Sequence, residues 1–172
     1  MRIETINQLD RAGFVHRLGA VYENSPWVAG QAWEERPFAS RAELHAKMSR
    51  AVKLAGPEAQ LALIRAHPEL ARRAKMSEDS VMEQKGAGLD RLTPEELERL
   101  ENLNQRYRSK FGFPFILAVR GKDKNDILRG LEARLLNTPE TEFAEALRQI
   151  DQIALFRLED LIEDPEDLIE DP

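Results

Sequence analysis

Apolar side chains along this chain recur three and four residues apart, the spacing of a helical face, and nowhere alternate for long as a half-buried strand requires. Phe14, Leu18, Val21 and Tyr22 make one such stripe, with Asp10 ahead of it as an N-cap. Ser40 and Glu43 have capping-box spacing before Leu44, Met48 and Val52, and Gly56 closes that segment. Pro57 suits a first helical position, and Leu61 and Ile64 carry the pattern to His67. Thr93-Pro94-Glu95-Glu96 is a second capping box, leading into Leu97, Leu100, Asn104, Tyr107 and Phe111, with Gly112 as the stop. Asp123 and Asp126 flank the start of a helix bearing Ile127, Leu131 and Leu135. Thr138-Pro139 opens the last helix, whose apolar face runs Phe143, Leu147, Ile150, Ala154, Leu158 and Leu161. The spacing predicts an all-α, single-domain helical bundle over residues 1–165, followed by an acidic tail at 166–172.

Two segments break the pattern. Periodicity fades over 77–92, "SEDSVMEQKGAGLDRL", which predicts a long loop between two helices. The run "FGFPFILAV" holds Pro114, which argues against an undisturbed helix, and it is too isolated to build a sheet. Loops of that length inside a compact domain tend to carry function.

Composition narrows the classes. Apolar content of 42% with 33% charged residues is that of a soluble globular chain, and 172 residues are enough to bury a core. The absence of cysteine excludes disulfides, thiolate metal sites and a cysteine nucleophile. No apolar run is long enough for a membrane span, and "MRIETINQLDRAG" lacks a signal core, so the expected location is cytoplasmic. The C-terminal "EDLIEDPEDLIEDP" repeats seven residues in tandem, and its eight acidic side chains exceed the whole net charge of −6. The rest is nearly neutral, with no basic stripe to suggest nucleic acid. The second heptad reads as a solvated tail, with a partner-binding motif as its rival.

Chemistry has few places to sit. Of three histidines, His16 and His45 fall on amphipathic helices as surface residues. His67 differs, because Pro68 pushes it out of helical dihedrals and ends the helix there. On spacing alone it is a capping histidine at the negative end of a helix dipole, or an acid–base group in a cleft. Glu83 and Gln84 are likewise either water-facing loop residues or partners of His67. Gly86 and Gly88 lack the Walker spacing of a phosphate loop. No metal-ligand spacing and no nucleophile elbow occurs, which leaves a possible acid–base pair needing neither metal nor cofactor.

Three stretches taken together resemble one family. "HPEL" at 67–70, "S-x-x-EQ-x-GAGLD" at 80–90 and "LNQRYRSKFGFPFILAVRG" at 103–121 are similar to the OHCU decarboxylases of urate breakdown, as is "SPWVAGQAWEERPF" at 25–38. OHCU is 2-oxo-4-hydroxy-4-carboxy-5-ureidoimidazoline. The acidic repeat matches nothing in that family. The resemblance implies an all-helical fold, commonly a homodimer, that turns OHCU into (S)-allantoin and carbon dioxide without a cofactor. It implies that His67 is catalytic, that Pro68 lines the site, and that Ser80, Val81, Met82, Glu83 and Gln84 meet the substrate. Phe115, Ile116, Leu117, Ala118 and Val119 are then the opposite wall. Glu83 is expected to share in catalysis, and Arg120 or Arg157 to clamp the carboxylate. Two rivals stay open: a helical docking module, and a relative acting on another ureide or imidazoline acid.

Overall fold

Four helices of this protein begin where a short side chain accepts from an otherwise unsatisfied N–H of the first turn. Asp10 Oδ1 accepts from Gly13 N at 2.7 Å, Ser40 Oγ from Glu43 N at 3.1 Å, Thr93 from Glu96 N and Asp123 from Asp126 N. At Thr93 and Asp123 the third helical residue returns the bond, completing capping boxes.

The computed structural model describes residues 1–71 and 78–165. Among the described residues the chain is all-α, as its periodicity predicts, with no strand beyond one isolated bridge between Arg2 and Glu163. The helices are α1 (Ile3–Asn7), α2 (Arg11–Leu18), α3 (Trp27–Trp33), α4 (Arg41–Leu54), α5 (Pro57–Ala66), α6 (Glu78–Gly86), α7 (Pro94–Phe111), α8 (Lys124–Arg134) and α9 (Pro139–Leu161). The chain divides into two compact units, Met1–Leu63 with the chain from Asp151 onward, and Ile64–Ile150, the boundaries falling within α5 and α9.

In the first unit α2 packs on α3 and α3 on α4, around buried Phe14, Leu18, Val28, Leu44, Met48 and Leu158. Val21 and Tyr22 are buried as the stripe suggests, yet α2 has already ended at Leu18, so they reach the core from a turn. The short α1 and α3 leave no stripe long enough to read. The first acidic heptad belongs to this unit: Ile162 is fully buried, its carbonyl accepts from Arg41, and Glu163 N donates to Met1 O at 2.8 Å. The second copy lies outside the described residues.

In the second unit α7 supplies the longest buried face, Leu100, Leu103, Asn104 and Tyr107, and packs against α8. Tyr107 sits within 6.0 Å of three phenylalanine rings, at 111, 113 and 115. Each unit buries one of the chain's two tyrosines, and burial raises the phenol pKa of both. Hydrogen bonding, to Asp151 for Tyr22 and to Glu142 for Tyr107, adds to the shift. A folded pKa above the unfolded value gives stability that is complete below about pH 10 and is lost as pH rises beyond it, by up to about 1.4 kcal/mol per pH unit for each tyrosine. The urea midpoint should therefore hold steady to about pH 9 and then fall, less steeply in Tyr22→Phe. An unchanged alkaline slope in that variant would refute the assignment.

Candidate active site

His67 owes its place to the proline behind it. The helix α5 ends at Ala66, and His67 N still reaches Ile64 O at 3.2 Å before Pro68 turns the chain away. His67 is only 7% exposed, so it faces the interior rather than projecting into solvent as its helix-end position suggests. Two other contacts hold the neighbourhood to α7 and its end: Glu69 pairs with Arg108, and Arg65 Nε donates to Gly112 O at 3.2 Å. The carbonyl of Leu70 accepts from Asn104 Nδ2 at 3.2 Å. The N–H of Ala71 donates to Gln84 Oε1 at 2.8 Å.

Gln84 lies on a helix, which corrects the loop expected over 77–92. The helix α6 carries Ser80 through Gln84, and it ends in a Schellman motif: Gly88 N bonds Lys85 O at 3.0 Å and Leu89 N bonds Gln84 O at 3.0 Å. Gly88 has φ +79°, the left-handed conformation that this motif requires. The reason the helix escapes notice in the sequence is its inverted face. Polar Ser80 and Gln84 are buried, whereas Val81 and Met82 are 44% and 68% exposed. Glu83, between the two sides, is half-buried.

The run after α7 is neither helix nor strand, as its proline requires. Gly112 takes φ +77° to stop α7, and Phe113, Phe115, Ile116, Ala118 and Val119 are buried while Leu117 is half-buried. Its backbone is held by two side chains. Arg134 of α8 donates to Ile116 O and lies 4.4 Å over the Phe115 ring, and Gln149 of α9 accepts from Ala118 N at 2.9 Å. Arg134 is fixed in turn by Glu142, which is fully buried and also accepts from Tyr107 and from Asn137.

Of the residues singled out in the sequence, Gln84 is thus joined to the turn that carries His67 and Pro68. Ile116 and Ala118 are tied to α8 and α9. Val81 and Met82 turn outward on α6, and Arg120 lies exposed. Arg157, the other candidate clamp, is committed elsewhere: it is buried against Glu23 at 2.9 Å and donates to the carbonyl of Ala20. Three residues escaped the sequence reading. Asn104 sits in an otherwise apolar stripe, while Glu142 and Arg134 look like surface charges until the fold buries the first and largely covers the second. The signal for Glu142 was its helical register beside Phe143. Among the described residues no group of three or more His, Asp or Glu side chains is placed to hold a metal ion.

On an all-helical framework His67 supplies a buried imidazole, Glu83 a half-buried carboxylate and Gln84 a buried amide, the residue types that move protons on small polar molecules. Residues 7–159 match the model of one family, OHCU decarboxylase, and the chain belongs to that family. It is 48% identical to the uric acid degradation bifunctional protein of Bacillus subtilis, over 93% of this chain and 32% of that protein. It is 44% identical to the 2-oxo-4-hydroxy-4-carboxy-5-ureidoimidazoline decarboxylase of Halalkalicoccus jeotgali, over 94% of this chain and 92% of that one. The chain spans about a third of the length of the bifunctional relatives it matches. A solved (S)-allantoin synthase superposes with a TM-score of 0.78 at 33% identity, over 94% of this chain and 54% of that chain.

Proposed function

We propose that this protein decarboxylates OHCU to (S)-allantoin and carbon dioxide in the breakdown of urate. The observation that carries the reading is the family match over 7–159, which takes in both His67-Pro68-Glu69-Leu70 and the α6 segment bonded to it through Gln84. Breaking the bond between ring carbon and carboxylate leaves an electron pair on that carbon. A neighbouring carbonyl or imine of the substrate can delocalise it, so the protein need not supply an electron sink. Its tasks are to turn the carboxylate out of the ring plane, to limit its solvation and to return one proton to one face.

In this reading His67 hydrogen-bonds the substrate and takes part in proton transfer, while Glu83 sets its tautomer. Pro68 and the apolar run Phe115 to Val119 enclose the ring. Ser80, Gln84 and main-chain amides of that run read the ureido group, Ala118 N being already bonded to Gln149. Val81 and Met82 would meet substrate only from their outward side, and Arg120, exposed just after the apolar run, is the candidate to approach the carboxylate. For partners and place, the reading adds a homodimer in the cytoplasm, without nucleic acid or membrane. No helix of the described chain is long and apolar enough to cross a membrane.

The test supplies urate, urate oxidase and hydroxyisourate hydrolase, and follows allantoin by chiral chromatography against the spontaneous background. Free in water, a planar intermediate takes its proton on either face and gives racemic product. A bias of about 100 to 1 needs only about 2.7 kcal/mol between the two protonation barriers, within reach of one positioned donor. Accelerated formation of the S enantiomer is expected. No acceleration over background would overturn the activity, and accelerated but racemic product would overturn the positioned donor alone.

A further inference from the structure

We infer that Asn104 is a positioning residue for His67, acting through the Leu70–Ala71 peptide rather than on the substrate. The inference rests on the acid–base reading of His67 given above. One peptide unit is gripped from both sides. Its carbonyl, on Leu70, accepts from Asn104 Nδ2 at 3.2 Å, and its N–H, on Ala71, donates to Gln84 Oε1 at 2.8 Å. Asn104 and Gln84 are both buried. Because a peptide is a rigid plane, holding its donor and its acceptor together fixes its orientation as well as its place.

The grip is set where the chain needs one. Ala71 has φ +61°, a left-handed conformation that residues with a Cβ adopt rarely. Left to itself, that position would relax and carry the preceding residues with it. The distance back to His67 is short and stiff, since Pro68 fixes its own φ and Glu69 is paired with Arg108. Arg108 and Asn104 are four residues apart on α7, hence neighbours on one helix face. The turn is therefore pinned at Glu69 and Leu70 by α7, and at Ala71 by α6.

Asn104 is also a poor choice for packing alone. It is 5% exposed, and its Oδ1 has no hydrogen-bond partner among the described residues. Leucine has nearly the same shape and would leave no orphan acceptor at this position. What leucine lacks is the donor to Leu70 O.

Two substitutions separate positioning from packing. Asn104→Leu trades an orphan on Asn104 for one on Leu70, so the melting temperature should stay within a few degrees. Its kcat should fall about tenfold with KM changed about twofold at most, the size of effect seen when a supporting hydrogen bond is removed from a working group. A lowered melting temperature with unchanged kcat would overturn the inference. Asn104→Asp supplies the second readout. As a carboxylate it sets oxygen against the Leu70 oxygen, and once protonated it regains a donor. Its activity relative to wild type should climb as pH is lowered from about 8 to about 5. The nearby charged groups, Glu69, Glu101 and Arg108, are common to both proteins and cancel in that ratio. A flat ratio overturns the inference even where Asn104→Leu has lost both stability and turnover. A wild type that does not accelerate OHCU loss removes the activity reading and the positioning role together. An active wild type with both variants unaffected removes only the latter.

Discussion

With His67 as the proposed acid–base group, His67→Asn should lower the turnover of OHCU by two to four orders of magnitude, roughly the value of a positioned general acid or base. Asparagine can occupy much of the imidazole's space and can still hydrogen-bond, but it cannot exchange a proton near neutral pH. The rate that remains should approach the spontaneous background, which is measured beside it. Because His67 is buried rather than standing in an open cleft, the change is not structurally silent. A cost of about 1 kcal/mol, or a few degrees in melting temperature, is expected from the lost ring contacts. Folded His67→Asn protein with wild-type turnover would end the assignment of this residue.

Glu142→Gln has the largest expected effect on stability. Glu142 is 0% exposed and accepts from Tyr107, Asn137 and Arg134, whose guanidinium lies 2.9 Å from it. Substituting glutamine keeps the shape and removes the charge, so Arg134, its side chain only 11% exposed, is left without its counter-ion. Breaking a buried pair on one side costs about 3–5 kcal/mol, on the order of 10 °C in melting temperature for a chain of this size. Arg134→Met in the same protein should recover part of the loss, because the unpaired cation is then gone. Calorimetry on the two single variants and the double variant decides this. A loss below about 1 kcal/mol in Glu142→Gln would mean that water already reaches the pair. Since Arg134 also holds Ile116 O, loosening the pair should also raise KM by freeing the apolar run.

Both predictions concern side chains whose setting differs from what local pattern suggests, and the same holds across the chain. The caps at Asp10, Ser40, Thr93, Asp123 and Thr138 were legible because a cap is a local event: the acceptor and the N–H it satisfies lie within four residues. The stop at Gly112 and the break at Pro114 are equally local, one a matter of positive φ and the other of a missing donor. Long stripes such as Leu100 to Tyr107 were legible because burial of a helix face follows the 3.6-residue period directly.

What pattern alone misread is polarity inside the protein. The pattern over α6 reads as a loop because its inward side chains, Ser80 and Gln84, are polar and its outward ones, Val81 and Met82, are apolar. On the last helix Ile150, Ala154 and Leu158 are buried as the stripe predicts, Phe143 and Leu147 are half-buried and Leu161 is exposed, while Glu142 and Arg157 are buried as well, bonded to Tyr107 and Glu23 far back along the chain. Arg157, a candidate carboxylate clamp by its place at the end of that face, is held instead by Glu23. The sequence by itself determined that the chain is helical, where most helices start and stop, and which histidine stands apart, because each of these depends on neighbours a few residues away. Only the tertiary structure decided which polar groups are buried and what they hold, because burying a charge or an amide is tolerable only beside a partner, and those partners, Glu142 for Arg134, Glu23 for Arg157 and the Leu70–Ala71 peptide for Asn104 and Gln84, come together by folding alone.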